Sequence, residues 1–348
     1  MRIFSDDTRL TYSGRIDFSD PKAPVMVYAA TYVAIRFKGT YVKAFLDNFR
    51  NCYDNFMGVI VDGAESKIEL KDGVSEYILC EGLSDSLHEL MLYKRQDAAH
   101  YVAFCGFELS DGATLYEAPA LPKRRMEVFG DSVSCGEVCE ALDYVGKADP
   151  ENHNGVYSNS YYSYSWLTAR KLDAELHDTS QGGIALFDGT GYFNGPDYKG
   201  VLSSFDKIQY NPFLGELKPW DFSKWQPHVV VCAIGQNDAN PVNIMADDYD
   251  GEAADNWRAG YRMWIERLME LYPHARIILT TTILMHDAAW DRAIDDVCKT
   301  IASERVTHFL YKRNGAGTPG HIRIPEAEEM SDELSAYIKS LGDDIWND

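Results

Sequence analysis

Two hydrophobic rhythms divide the chain. Before residue 120, apolar residues come in short runs, and many alternate with polar ones. The runs are "MVYAATYVAIRFKG" (26–39), "NFMGVIVDG" (55–63), "SKIEL" (66–70), "SEYILCEGL" (75–83), "HELMLYKR" (88–95) and "HYVAFCGFEL" (100–109). Alternation sends successive side chains to opposite faces of a half-buried strand. Asp-Gly pairs at 62–63, 72–73 and 111–112 fall between several runs, where hairpin turns belong. The pattern predicts two antiparallel sheets packed face to face, a β-sandwich of jelly-roll type. "EAPALPKRR" (117–125) interrupts it with two prolines and three basic residues and reads as a linker. The expected domains are therefore 1–120, the β-sandwich, and 121–348.

Beyond the linker the rhythm changes. "MEVFG" (126–130), "HVVVCAIG" (228–235), "ARIILTTTIL" (275–284) and "THFLY" (307–311) are apolar runs of strand length. Strands buried on both faces lose alternation and read this way. Between them lie stretches of helical period: "YYSYSWLTARKL" (161–172), "WRAGYRMWIERLMELY" (257–272), "AAWDRAIDDVCKTIAS" (288–303) and "IPEAEEMSDELSAYIKSL" (324–341). Pro325 sits at the start of the last, where its missing N–H costs nothing. Alternating strands and helices predict an α/β domain with a doubly wound parallel sheet.

Composition narrows the function classes. The chain has 348 residues, 45% of them hydrophobic, enough for two cores. A net charge of −21 repels phosphate backbones and anionic membranes, so neither is an expected partner. No apolar run reaches the ~18–20 residues of a membrane span. The start "MRIFSDDTRL" has no apolar core of a signal peptide, which predicts a cytoplasmic protein, or a secreted one had a signal been removed. Seven cysteines at irregular spacing suit reduced thiols and form no zinc pattern, so no metal or cofactor is expected. The acidic stretch "MADDYDGEAAD" (245–255) lacks the ordered ligand spacing of a calcium loop and reads as a solvated face.

Ligands of doubly wound sheets bind beyond the carboxyl ends of the strands, which selects a few loops. "GDSVSCG" (130–136) follows the first strand, and "GQNDAN" (235–240) follows "HVVVCAIG". "HDTSQGGIAL" (177–186) runs from a short extended segment into glycines, and "GTPGHIRIPEAEEM" (317–330) precedes the last helix. A serine, a glycine turn, an asparagine and a histidine thus converge on one sheet end. Acyl transfer needs that set: a hydroxyl nucleophile, a base for its proton, and N–H donors for the oxyanion. Ser132 is the candidate nucleophile and His321 the candidate base. The backbone N–H groups of Ser132 and Gly183 and the side-chain amide of Asn237 are the candidate donors.

At these residues the chain resembles the SGNH, or GDSL-type, hydrolases. Their blocks occur in order as Gly130-Asp131-Ser132, Gly183, Gly235-Gln236-Asn237-Asp238 and His321. With a β-sandwich ahead, the resemblance narrows to carbohydrate esterase family 2. It implies a serine esterase that removes acetyl groups from plant cell-wall oligosaccharide or polysaccharide, chiefly xylan; a homo-oligomer is compatible with it. Alternatives are an esterase for other small acyl esters and a carbohydrate-binding protein with a relic site. One position departs from the wider superfamily, which usually has aspartate three residues before the histidine. Here it is Thr318. The resemblance to family 2 implies a Ser–His dyad, with a backbone carbonyl holding Nδ1–H. An aspartate from another loop is the alternative. Tyr192, Phe193, His286 and Trp290 are expected to contact substrate, and Trp166 and Trp264 to be core.

Overall fold

The computed structural model describes residues 1–195, 197–210 and 215–347. Its first sheet contains β1 (Arg2–Ile3), β2 (Thr11–Ser13), β3 (Ile16–Asp17), β4 (Val25–Met26), β5 (Tyr32–Phe49), β6 (Phe56–Val61), β7 (Ala64–Glu69), β8 (Gly73–Lys94), β9 (Tyr101–Leu109) and β10 (Thr114–Tyr116). All pairings in it are antiparallel, in the order β3-β4-β9-β5-β8-β6-β7, with β1 on β9 and with β2 and β10 on β5. The long strand β5 changes partners along its length. Residues 32–38 meet β2 and β10, residues 42–49 meet β9, and the register shifts between Gly39 and Tyr41. The sheet curls around a core that includes Val33, Phe37, Leu46, Val59, Leu92 and Phe104, which agrees with the jelly-roll expectation.

Two boundaries differ from the sequence reading. The runs 75–83 and 88–95 belong to one strand, β8, which continues through residues 84–87, all exposed, with Ser86 and Leu87 paired to Gly39 and Lys38 of β5. Exposure on both faces removes the alternation by which a strand is read. The run at 26–39 contributes only its end to β5; Val27–Ala30 turn inward, and Ala30 N–H bonds Lys94 O at 3.0 Å.

The second sheet is parallel throughout. It contains β11 (Arg124–Phe129), β12 (Ala174–Asp178), β13 (Val229–Ala233), β14 (Arg276–Thr280) and β15 (Val306–His308), ordered β12-β11-β13-β14-β15. The helices are α1 (Ser132–Cys135), α2 (Tyr164–Lys171), α3 (Val201–Ser204), α4 (Ile244–Asp247), α5 (Glu252–Leu271), α6 (Ala288–Ile301) and α7 (Ile324–Ser340). Val230 and Cys232 pack with Trp264, Leu268, Ile294 and Val297 from α5 and α6. Val229 and Val231 face the other way, toward Trp166, Met330 and Leu334 from α2 and α7. Burial on both faces explains the unbroken apolar runs. Helix α5 starts five residues before the expected 257, inside the acidic stretch, because Glu252 and Asp255 lie in its first turn and favour the positive end of the helix dipole. No helix among the described residues is long and apolar enough to cross a membrane.

The strand order reverses between β11 and β13, so the crevice of this sheet opens at their carboxyl ends. An ion pair ties the first domain to β11 there. Arg15 Nε donates to Glu127 Oε1 at 3.0 Å, and both side chains are fully buried. Glu127 also accepts from Thr179 Oγ1 and Tyr272 Oη. Breaking a buried pair leaves an uncompensated charge. Arg15→Ala is therefore expected to lower stability by about 3–5 kcal/mol, read as a lower urea midpoint at unchanged slope. An unchanged midpoint would deny the pair any role in joining the domains.

Candidate active site

Ser132 opens α1 directly after β11. Asp131 caps the helix by accepting Val133 N–H at 3.0 Å, and Gly136 ends it in the left-handed region at φ 73°. This short turn points the Ser132 hydroxyl at the last histidine of the chain. His321 Nε2 lies 2.8 Å from Ser132 Oγ, a hydrogen-bonding distance. On its other side, Nδ1 lies 2.6 Å from Asp149 Oδ2. Asp149 Oδ1 accepts from His321 N–H at 3.0 Å and Arg323 Nη2 at 2.8 Å, so the carboxylate is clamped from three directions. Gly320 makes the approach possible: a Cβ there would stand 2.8 Å from Lys147 O and 2.9 Å from Asp149 N.

The expected backbone carbonyl is thus not the partner of Nδ1. An aspartate reaches it from a loop 172 residues earlier in the chain. Thr318, at the usual aspartate position, is buried, and its backbone pairs with Leu284 and Met285.

The site carries a dense negative charge. Burial alone would favour neutral His321, but Glu137 and Asp149 outweigh it and raise the imidazole to about 8. Burial alone would also raise Asp149, yet the hydrogen bond and charge of His321, joined by Arg323, hold it well below the usual carboxylate range. Glu137 is pushed up to about 7 by burial, which the His321 charge opposes and Asp97, Asp149 and Asp131 reinforce.

The residues of all three candidate donors, Ser132, Gly183 and Asn237, line the same cleft. Gly183, at φ 72°, occupies a conformation that suits glycine, and a Cβ there would stand 2.6 Å from the Phe193 ring. Asp238 couples its turn to the asparagine loop by accepting from Leu186 N–H at 2.9 Å and Trp257 Nε1 at 2.7 Å. Asp131 Oδ2 accepts from Gln236 Nε2 and from Asn237 Nδ2, the latter at 3.0 Å, which orients the Asn237 amide beside the nucleophile turn. From the first domain, Asp97 Oδ2 accepts from Gln181 Nε2 at 2.6 Å and Gly182 N–H at 3.0 Å, holding the glycine turn from outside its own domain.

The cleft has a volume of about 530 Å³. Ser132, Asp149, Gly183, Asn237 and His321 line it, together with Asn51, Tyr53 and Asp97 of the first domain. Tyr192 and Phe193 are at its rim, 67% and 45% exposed, with Phe193 stacked on Tyr198. His286 and Trp290 are elsewhere, contrary to expectation. The His286 side chain is 1% exposed; Nδ1 donates to Leu284 O at 2.6 Å and Nε2 meets Asp291 at 3.1 Å. Trp290 is fully buried, bonds Asn243 Oδ1 at 2.9 Å and packs edge-on against Trp257. Trp166 and Trp264 are buried, as expected.

Asp97, Glu137 and Asp149 escaped the sequence reading, and so did the wall at residues 51–53. None of them stands in a periodic or spaced pattern. All seven cysteines are free thiols.

The chain resembles characterised proteins along its whole length. Residues 12–119 match the carbohydrate esterase 2 N-terminal domain. A cellulase/esterase, CelE, of Acetivibrio thermocellus is 28% identical over 96% of the chain, which spans only 40% of that relative's length. An acetylxylan esterase / glucomannan deacetylase of Cellvibrio japonicus is 24% identical, covering 98% of the chain and 91% of the relative. The structure of a family two carbohydrate esterase from Clostridium thermocellum in complex with cellohexaose superposes with a TM-score of 0.79 at 26% identity, over 95% of this chain and 98% of that one.

Proposed function

We propose, on the premise that this chain belongs to the family 2 carbohydrate esterases, that it removes O-acetyl groups from xylan or xylo-oligosaccharides through an acyl-enzyme on Ser132. One observation carries the reading: Ser132 Oγ, the His321 ring and the Asp149 carboxylate form a continuous hydrogen-bonded chain facing an open cleft. The named activity of the Cellvibrio relative and the bound cellohexaose of the Clostridium enzyme support a sugar ester as substrate.

In this mechanism His321 Nε2 takes the Ser132 proton as Oγ attacks the acetyl carbonyl. Asp149 keeps the second ring proton on Nδ1 and stabilises the imidazolium. The N–H groups of Ser132 and Gly183 and the Asn237 amide receive the oxyanion. Nε2 then returns the proton to the departing sugar oxygen. A water repeats the sequence on the acetyl-serine, releasing acetate. Such a site needs no metal. Among the described residues no three His, Cys, Asp or Glu side chains are grouped to hold one.

Acetate release from acetylated xylo-oligosaccharides tests the substrate. The expected result is release of acetate, with acetyl esters preferred over butyryl esters of the same alcohol. Preference for the longer chain would move the reading to a general acyl esterase. The oxyanion assignment has its own test. Asn237→Ala is expected to lower kcat about 10²–10³-fold with little change in KM. If Asn237 only braces its loop through Asp131, the variant keeps its kcat and loses melting temperature instead, so both are measured on one preparation.

A further inference from the structure

Four carboxylates, those of Asp97, Asp131, Glu137 and Asp149, surround the reacting groups, and three of them are fully occupied. Asp149 holds His321 and Arg323. Asp131 holds Val133 N–H, Gln236 and Asn237. Asp97 holds Ala99 N–H, Gln181 and Gly182 N–H. Glu137 is the exception: its side chain accepts no hydrogen bond among the described residues. Its backbone is fixed, since Glu137 N–H donates to Ser132 O at 2.9 Å. Its side chain is only 22% exposed, and Oε2 lies 3.8 Å from His321 Nε2, too far for a hydrogen bond. Asp97 Oδ2 and Glu137 Oε2 flank the same glycine, for a Cβ on Gly182 would stand 2.7 Å from the first and 3.1 Å from the second.

A part-buried carboxylate that shares its surroundings with other carboxylates, with only the His321 ring at 3.8 Å to relieve it, is better accommodated when a bound molecule supplies a hydrogen-bond donor. The position of Glu137 says what does. Nε2 must deliver its proton to the leaving oxygen, so the leaving alcohol occupies the space between Nε2, Ser132 Oγ and Glu137. We infer that Glu137 is a specificity-determining residue: its carboxylate accepts a hydrogen bond from a second hydroxyl of the leaving alcohol, so the site favours esters of polyols over esters of simple alcohols. The inference rests on the acyl-transfer reading of this cleft, but not on the choice of xylan.

The test compares 1-acetylglycerol with propyl acetate, which share the acetyl group and the three-carbon chain and differ in hydroxyls. The measured quantity is the ratio of their kcat/KM values, in which effects common to both substrates cancel. Glu137→Ala is expected to lower this ratio about 10- to 100-fold relative to wild type, the span of one charge-assisted hydrogen bond. Glu137→Gln, which keeps a neutral acceptor and nearly the same shape, is expected to lower it by less; it carries the test if the alanine variant does not fold. A ratio that stays within twofold of wild type in a variant still hydrolysing propyl acetate overturns the inference and leaves the acyl-transfer reading standing. Failure of wild type to hydrolyse either ester, or undiminished hydrolysis by Ser132→Ala, overturns both.

Discussion

Ser132→Ala is expected to lower kcat/KM for acetyl esters by at least about 10⁴-fold, or roughly 5 kcal/mol of transition-state stabilisation. Nothing else in the cleft replaces it. Ser134, two residues on, turns away to bond Tyr164 Oη at 2.8 Å. The remaining donors would stabilise an oxyanion formed by water attack, leaving only a small residual rate. Stability should barely change, because the Ser132 hydroxyl bonds only His321 and faces the cleft. A variant retaining more than about a tenth of wild-type kcat/KM, a loss under ~1.4 kcal/mol, would remove Ser132 from the mechanism.

Asp149→Asn carries the second large effect. The amide keeps nearly the same shape but cannot hold Nδ1–H as a carboxylate does, and it favours the tautomer with the proton on the wrong nitrogen. An expected loss of about 10³–10⁴-fold in kcat follows. The pH profile separates this from a loop defect. His321 works as a base only when neutral, so activity should rise with pH through the imidazole value of about 8. The carboxylates of Glu137, Asp149 and Asp131 hold that value up, and Asp149→Asn removes one of them. The rising limb should therefore move to lower pH while the plateau falls. A variant with near-normal kcat and an unmoved limb would return the site to a Ser–His dyad.

The ends of the parallel strands were legible because their apolar runs are continuous, and the residues that follow such runs must lie at the crevice. That logic reached Ser132, Asn237 and His321. It also reached His286, wrongly. His286 follows β14 as anticipated, but Leu284 O and Asp291 bond both ring nitrogens and turn the side chain inward. Trp290 was misread as a substrate contact, although Trp290, Ala293, Ile294 and Val297 recur at helical spacing and all are buried in α6. Asp149 was not legible at all. It is held by contacts to residues more than 170 positions away, and a carboxylate in a polar loop leaves no periodic trace. Asp97 is hidden for a related reason: it sits in one domain and orders a turn in the other. The first domain's strands were recognisable as a class, yet the 22-residue span of β8 was not, because its exposed middle looks like a loop.

The central claim is that Ser132 forms the covalent bond to the acyl group. Labelling with a 4-nitrophenyl phosphonate ester, followed by peptide mapping, tests it most directly. The account predicts a single adduct on Ser132, activity lost in proportion to labelling, slower labelling in the presence of acetylated xylo-oligosaccharide, and no adduct in Ser132→Ala. An adduct on any other residue, or full activity in fully labelled protein, would contradict it.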